Sequence, residues 1–314
     1  MAIATLELAK RLGARAAWPN AACEDQQLEF LALPSRAAPN TLSFLSEPES
    51  APQLASAGAV LSEERYCHLV SRPLIVNRLP LALARAKQWL PLLTVNNTSP
   101  TSFETGIHPT ATLASSVVCG NHAQIGAHAV LRGEVKLGDF VKIGPNVTIT
   151  GPVSIGNRVQ IEANTTIGGK PFMYVNDGHK WVDFPSFAGV RIGDDAEIGA
   201  GVTIDRGLTT NTVIGADVKL DNQVHIGHGA IIGADTIVAA RTTIAGEARI
   251  GERCKIAGAC SIAEGVFIGN EVVLAGMSNV SRSLPGPGEF ASAWPVQPRR
   301  EWWRQIAKLK RLVN

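Results

Sequence analysis

Two histidines in one short polar segment are the side chains of this sequence whose spacing best suits chemistry. The segment at 221–229 reads DNQVHIGHG and contains His225 and His228. A neutral imidazole can take a proton from an attacking amine or hydroxyl, and a nearby backbone N–H can stabilise the oxyanion that forms. An outward histidine can also be a plain surface residue. Here the polar neighbours Asp221 and Asn222 favour an acyl-transfer site.

A backbone amide suited to the oxyanion follows at a fixed distance from the second histidine. Gly246 comes eighteen residues after His228, and Glu264 comes eighteen residues after Gly246. Gly246 offers a bare backbone, because no side chain covers its N–H. The spacing matters only if the chain itself repeats with that period.

The chain does repeat, with a period of six residues. Every sixth residue from Ile107 to Ile167 is aliphatic or a cysteine, and the rule returns from Ile192 to Ile204 and from Ile214 to Val280. The residue four places later is mostly small or β-branched. Neither a helix nor an antiparallel sheet holds this period, so the pattern predicts a parallel β-helix of hexapeptide repeats. Three hexapeptides form one turn, which makes residues eighteen apart vertical neighbours.

The remaining stretches divide the chain into three predicted parts. Residues 1–100 mix short strands and helices and predict a small α/β domain, which a polar linker at 96–102 ends. The β-helix domain takes 101–284, with a polar and aromatic insert loop at 168–191. Residues 285–314 form a carboxy-terminal extension with a helix. The predicted fold is therefore mainly β, and the insert is expected to form a binding wall.

The helical tail carries a strong excess of positive charge. Between 299 and 313 its apolar residues alternate with six cations, among them Arg304 and Lys308, against one acid, Glu301. Such a face can be the solvated side of a capping or trimer-contact helix. It can equally be a docking surface for an acidic partner.

Composition excludes several other classes of function. The net charge is only +2 and charged residues make up 18% of the chain, so nothing points to nucleic acid or to a membrane surface. The amino terminus lacks a signal peptide, and no stretch reaches the roughly eighteen apolar residues of a membrane span, which predicts a cytoplasmic protein. No metal-ligand spacing or nucleotide-binding motif occurs, so neither a metal nor a bound cofactor is expected.

Five motifs together resemble those of one family. These are the hexapeptide repeat, the insert GGKPFMYVNDGHKW at 168–181, TIDRG at 203–207 and the DNQ and IGH segments around the histidines. They are similar to those of UDP-3-O-(3-hydroxyacyl)glucosamine N-acyltransferases of the lipid A pathway. The resemblance covers nearly the whole chain. It implies a left-handed β-helix, a homotrimer with active sites between subunits, a UDP-linked amino sugar as acceptor and acyl carrier protein as donor.

The resemblance also implies roles for single residues. His228 matches the family's catalytic base, and Gly246 matches the glycine whose N–H serves the oxyanion. Asp221 and Asn222 match polar residues beside the base, which with His225 would bind substrate. The donor would be the phosphopantetheine arm of the carrier protein, with no other cofactor.

Further matches lie at the two ends of the chain. Phe44 matches one aromatic residue of the family's uracil clamp, in the amino-terminal domain that helps hold the uridine. Arg282 matches a basic residue near the phosphopantetheine entry. The tail helix, with Arg304 and Lys308, would then face an acidic carrier protein.

Four positions depart from the family pattern. A second active-site histidine falls at Gly265, where Glu264 could substitute for it, and the partner of the uracil clamp falls at Ser50. Methionines that line the acyl groove in some members become Asn279 and Ser281. These departures leave open a divergent acyltransferase with a shorter or more polar acyl group, such as acetyl from coenzyme A. They also leave open a trimeric binding protein without catalysis.

Overall fold

A computed structural model of the protein describes residues 2–17, 25–93, 106–292 and 296–313. The chain forms two compact units, Met1–Ser102 and Phe103–Asn314. The linker predicted at 96–102 lies outside the described residues.

The amino-terminal unit is a small α/β fold. Five strands form its sheet, in the spatial order Arg15–Ala16, Pro73–Ile75, Ala59–Ser62, Thr41–Leu45 and Phe30–Leu31. Only the first two of these strands pair antiparallel, and the other pairs are parallel. Buried leucines such as Leu8, Leu42 and Leu74 join the helices to this sheet. The elements are β1 Ile3–Ala4, α1 Thr5–Leu12, β2 Arg15–Ala16, β3 Gln27–Leu28, β4 Phe30–Leu31, β5 Thr41–Leu45, β6 Ala59–Ser62, β7 Pro73–Ile75 and α2 Leu79–Ala86, with 3-10 turns at Pro34–Arg36, Pro48–Leu54 and Glu64–Leu69.

The second unit is a stack of short strands followed by one helix. The strands before the insert are β8 Thr112–Leu113, β9 Val118–Cys119, β10 Gln124–Ile125, β11 Val130–Arg132, β12 Val135–Leu137, β13 Lys142–Ile143, β14 Thr148–Thr150, β15 Val153–Ile155, β16 Gln160–Ile161 and β17 Thr166–Gly169. The insert holds β18 Tyr174–Asn176 and β19 Trp181–Asp183. The strands and helix after it are β20 Val190–Ile192, β21 Glu197–Ile198, β22 Thr203–Asp205, β23 Thr212–Ile214, β24 Lys219–Leu220, β25 His225–Ile226, β26 Ile231–Ile232, β27 Ile237–Val238, β28 Thr243–Ile244, β29 Arg249–Ile250, β30 Lys255–Ile256, β31 Ser261–Ile262, β32 Phe267–Ile268, β33 Val272–Leu274, β34 Asn279–Val280, β35 Gly288–Phe290 and α3 Arg299–Val313.

These strands form the three faces of a prism, as the period of six predicts. Face 1 runs from β10 to β35 and face 2 from β8 to β34, with nine parallel strands each, and face 3 runs from β9 to β32 with eight. The register pairs residues eighteen apart, such as His225 with Thr243 and Ile226 with Ile244. The repeated aliphatic residues point inward and form one continuous buried core. The predicted β-helix is thus confirmed.

The corners of the prism show why the repeat needs glycine where it does. The residue after the repeated aliphatic packs against the next coil: a Cβ on Gly227 would lie 2.6 Å from the backbone nitrogen of Gly246. Positive φ falls two residues later, at positions such as Gln223, Gly229 and Glu247. At Gly227 glycine is therefore required by close approach, and the left-handed conformation belongs to another position of the corner.

The insert leaves the prism between β17 and β20. Strands β18 and β19 pair as an antiparallel hairpin, and Lys170 forms a 3.0 Å ion pair with Asp183 across its base. Phe172 and Trp181 are largely exposed on it. The hairpin thus presents aromatic surface outside the core.

Candidate active site

His228 lies at the corner that joins face 2 to face 3, directly after β25. Only 8% of the residue is exposed. Its carbonyl accepts a 2.8 Å hydrogen bond from the amide of Glu247 on the next coil. The amide of Gly229 donates to the Thr212 hydroxyl at 2.9 Å, and that hydroxyl donates to the Asp205 carbonyl at 2.7 Å. Hydrogen bonds to the coils on both sides therefore fix the backbone around His228.

The imidazole of His228 rests on the backbone of Gly246, one coil along. A Cβ at Gly246 would lie 2.5 Å from Cε1 and 2.6 Å from Nε2 of the ring, so any side chain there would force the imidazole to move. The Gly246 carbonyl accepts from the amide of Gly265 at 3.0 Å. Its own amide donates no hydrogen bond within the described part of the chain. Glycine thus lets the His228 ring lie against the backbone here, and the buried Gly246 N–H is left without a hydrogen-bond partner in the described ranges.

His225 occupies the outer side of face 2 within a second polar group. Its Nδ1 lies 2.7 Å from the Thr203 hydroxyl, and its Nε2 lies 4.0 Å from the Asp205 carboxylate. Burial raises the pKa of the Asp205 carboxyl, and the imidazoles of His225 and His228 oppose that rise. Asp205 therefore interacts electrostatically with both histidines of the predicted site.

Two acidic residues near the histidines were missed from the sequence. Asp205 lies in the TIDRG motif at 203–207, which carried the family resemblance but was given no role. The Glu247 carboxylate lies 3.8 Å from Nδ1 of His228, and no pattern in the sequence marked it. Both reach the histidines from neighbouring coils.

Asp221 and Asn222 lie at the corner before β25, whereas His228 lies at the corner after it. The Asp221 carboxylate accepts hydrogen bonds from the amides of Asn222, at 2.7 Å, and Ala240, at 3.1 Å. The Asn222 side-chain oxygen accepts from the amide of Ala200 at 2.8 Å. Both side chains are exposed and tie adjacent coils together. Among the described residues neither is hydrogen-bonded to an imidazole.

The corner that holds His228 and, one coil along, Gly246 is called the catalytic corner. Its third coil carries Glu264 and Gly265. Glu264 is exposed, on the same edge of the prism as His228 and Gly246. Gly265 has a φ of 68° and open space around its missing Cβ. The structure thus groups His228, Gly246 and Glu264 along one edge, as the eighteen-residue spacing predicts.

Phe44 belongs to the amino-terminal unit and lines a cavity of about 580 Å³ there. The other residues of its wall are mostly leucines, with Arg36 and Lys87 as the cations. Ser50 lies in the turn Pro48–Leu54, where its amide donates to the Glu47 carbonyl at 3.1 Å. Within the described residues Ser50 is not part of the wall that Phe44 lines.

The basic residues predicted to receive the donor lie near the end of the chain. Arg282 lines a cavity of about 190 Å³ together with Asn279, Ser281 and Phe290. Arg304 and Lys308 are exposed on α3. In the described ranges no helix is long and apolar enough to cross a membrane. No group of three potential metal ligands occurs in the same ranges.

Comparison with known proteins identifies the family. Models of the bacterial transferase hexapeptide (six repeats) match residues 134–169 and 211–246, and a hexapeptide repeat of succinyl-transferase matches 186–206. A UDP-3-O-acylglucosamine N-acyltransferase of Pseudomonas syringae pv. tomato (strain ATCC BAA-871 / DC3000) is 33% identical over 310 residues, covering 92% of this chain and 86% of the relative. The chain belongs to the UDP-3-O-acylglucosamine N-acyltransferase family.

A further relative bears the name of the family, and a solved structure of a differently named acyltransferase shares the fold. The protein of that name from Pseudomonas paraeruginosa (strain DSM 24068 / PA7) is 35% identical over 145 residues, covering 46% of this chain and 41% of the relative. The crystal structure of a UDP-N-acetylglucosamine acyltransferase from Bacteroides fragilis 9343 has 28% identity and a TM-score of 0.52, covering 57% of this chain and 69% of that one. The predicted family and the predicted left-handed β-helix are confirmed.

Proposed function

We propose that this family member transfers a 3-hydroxyacyl chain from acyl carrier protein to the 2-amine of UDP-3-O-acylglucosamine. The observation that carries the proposal is the packing of the His228 imidazole on Gly246. The imidazole lies against a residue whose backbone amide has no hydrogen-bond partner within the described chain, which supports a base and an oxyanion donor side by side. Those are the two groups that acyl transfer to an amine requires.

The imidazole of His228 and the amide of Gly246 act on different atoms in the same reaction. As the sugar amine attacks the thioester carbonyl, Nε2 of His228 takes the amine proton. The amide of Gly246 donates to the oxyanion of the tetrahedral intermediate. When the intermediate collapses, the carbon–sulfur bond breaks and the imidazolium returns the proton to the departing thiolate. The phosphopantetheine thiol is the leaving group, and no further cofactor takes part.

Binding of the two substrates is assigned to residues outside the catalytic corner. We assign the uridine to the amino-terminal cavity, where Phe44 offers a ring for stacking and Arg36 and Lys87 offer charge for the diphosphate. The carrier protein is assigned to the carboxy-terminal end, where Arg304 and Lys308 are exposed. Active sites between the subunits of a homotrimer complete the proposal.

The test measures product formation by mass spectrometry in the wild type and in two histidine variants. With UDP-3-O-acylglucosamine and 3-hydroxyacyl carrier protein, His228→Ala should lower turnover about 10²- to 10⁴-fold, because the general base is lost. His128→Ala is the matched control: His128 is exposed at a corner with a φ of 59°, a conformation that Ala259 also adopts at 57°. Turnover by His228→Ala at the wild-type rate would overturn the mechanism.

A second candidate differs only in the acyl donor. Asn279 and Ser281 add polar side chains to the small, otherwise largely apolar cavity beside Arg282, which favours a shorter or more polar acyl group. The same assay with acetyl coenzyme A in place of the carrier protein separates the two candidates. Product with coenzyme A alone would replace the proposed donor. Product with neither donor, despite nucleotide-sugar binding, would indicate a binding protein.

A further inference from the structure

The second ring nitrogen of His228 is left without a partner. Nδ1 is fully buried and has no hydrogen bond within the described residues. A buried polar atom without a partner is unfavourable, because it has lost its hydrogen bonds to water, so its presence in a site calls for an explanation. The two ring nitrogens also compete for one proton in the neutral imidazole. A base that uses Nε2 needs that proton to stay on Nδ1.

The nearest carboxylate is positioned to hold that proton. Oε1 of Glu247 lies 3.8 Å from Nδ1 of His228, and 40% of the Glu247 side chain is exposed to solvent. A carboxylate accepts and never donates when ionised. Closing the gap from 3.8 Å to hydrogen-bond distance requires the Glu247 side chain to rotate, and its exposure to solvent permits that rotation.

The backbone on the other side of the carboxylate leaves room for it. A Cβ on Gly229 would overlap Oε1 of Glu247 and lie 2.7 Å from its Cδ. Any other residue at 229 would therefore force the Glu247 carboxylate out of its present position. Gly246 and Gly229 thus serve one arrangement, the first by accommodating the ring and the second by accommodating the carboxylate.

The other charged groups around His228 do not replace Glu247. Asp205, on the preceding coil, interacts electrostatically with His228, but its closest imidazole contact is Nε2 of His225 at 4.0 Å. The ring of His225 is hydrogen-bonded through Nδ1 to Thr203. Within the described chain, Glu247 is the carboxylate that has an ion-pair contact with His228.

We propose that Glu247 is a positioning residue that accepts a hydrogen bond from Nδ1–H of His228 and thereby keeps Nε2 unprotonated for catalysis. The inference rests on the proposed function, because it assumes that His228 is the base. It adds a carboxylate–imidazole pair whose acid comes from the next coil of the prism.

The experiment compares Glu247→Gln with Glu271→Gln in the full-length protein. A glutamine keeps the size of the side chain but also offers an N–H donor, so it no longer selects one tautomer. Glu271 is the matched control, because its φ of 60° equals the corner conformation of Glu247 at 57° and it pairs instead with Arg253. We expect kcat of Glu247→Gln to fall about tenfold or more, with KM for the sugar unchanged.

A spectroscopic measurement separates positioning from simple stability. The ¹⁵N shifts of the His228 ring, assigned by difference from His228→Ala, should report Nδ1–H in the wild type and in Glu271→Gln. In Glu247→Gln they should move toward a tautomer mixture. Unchanged ring shifts together with wild-type kcat would overturn the role of Glu247. Full activity of His228→Ala would instead overturn the proposed function.

Discussion

At the scale of single residues, the carboxylate of Asp205 is a largely buried acid that interacts with both histidines of the candidate site. Only 14% of its side chain is exposed. Burial raises its pKa above the ordinary 3.8, while His225 and His228 favour its charged form. A charge held in such a place at neutral pH lowers the stability of the fold.

Replacing this carboxylate should therefore stabilise the protein at neutral pH and at the same time lower its turnover. A raised pKa means that the folded state binds the proton more tightly than the unfolded state does. The penalty is present above the raised pKa and is lost as the pH falls through it toward 3.8. Asp205→Asn should melt at a higher temperature than the wild type at pH 7, with the difference shrinking on acidification, and should lose turnover.

Thermal unfolding between pH 4 and pH 8 measures this difference. Asp235→Asn is the control, since Asp235 is exposed at a corner with a φ of 59° and asparagine also adopts this conformation. A lower melting temperature for Asp205→Asn at pH 7 would show that the attraction of the imidazoles outweighs burial.

At the scale of elements, the corners between strands decide which side chains meet. The eighteen-residue period predicts that Gly246 lies next to His228, because coil stacking is regular from β25 to β28. It does not predict Asp205, because Thr203 pairs with His225 across twenty-two residues after the four-residue slip. It does not predict Glu247 either. That residue lies at the left-handed position of a corner, where the repeat constrains backbone and not side-chain chemistry.

The corner at Gly246 should tolerate no side chain, although other corners do. Gly246→Ala places a methyl group within 2.5 Å of the His228 ring, which must then move. We expect kcat/KM to fall about 10²-fold, as displacements near 1 Å do in active sites. Gly276 occupies the same corner position, and a Cβ there would lie 3.5 Å from its nearest neighbour, so Gly276→Ala is the control.

Kinetics and thermal unfolding of both glycine variants test this prediction. Both proteins should keep their β-sheet circular dichroism. Equal activity of Gly246→Ala and Gly276→Ala would mean that the ring of His228 is not fixed by the coil beneath it.

At the scale of the whole molecule, the prism exposes apolar residues on two of its faces. Ile237 and Val273 lie outward on face 1, and Ile231 and Phe267 lie outward on face 3, all at least 36% exposed. Face 2 is polar around His225. Exposed apolar surface of this kind is favourably buried between subunits. The homotrimer nevertheless stays a prediction.

Light scattering during gel filtration should give a mass of roughly three times the chain's 33.2 kDa. Because association stabilises the folded chain, the melting temperature should also rise with protein concentration. A mass of 33.2 kDa at all concentrations, with a constant melting temperature, would exclude the trimer.

The position of the catalytic corner within the stack determines how long its residues stay assembled when the prism begins to unfold locally. Strand β25 is the sixth of nine on face 2, with five strands before it and three after it. In a solenoid each coil is held only by its neighbours, so opening begins at the ends and proceeds coil by coil. His228, Gly246 and Glu247 therefore remain assembled while outer coils exchange their amide hydrogens. The protein can lose order at either end before it loses the groups that carry out its chemistry.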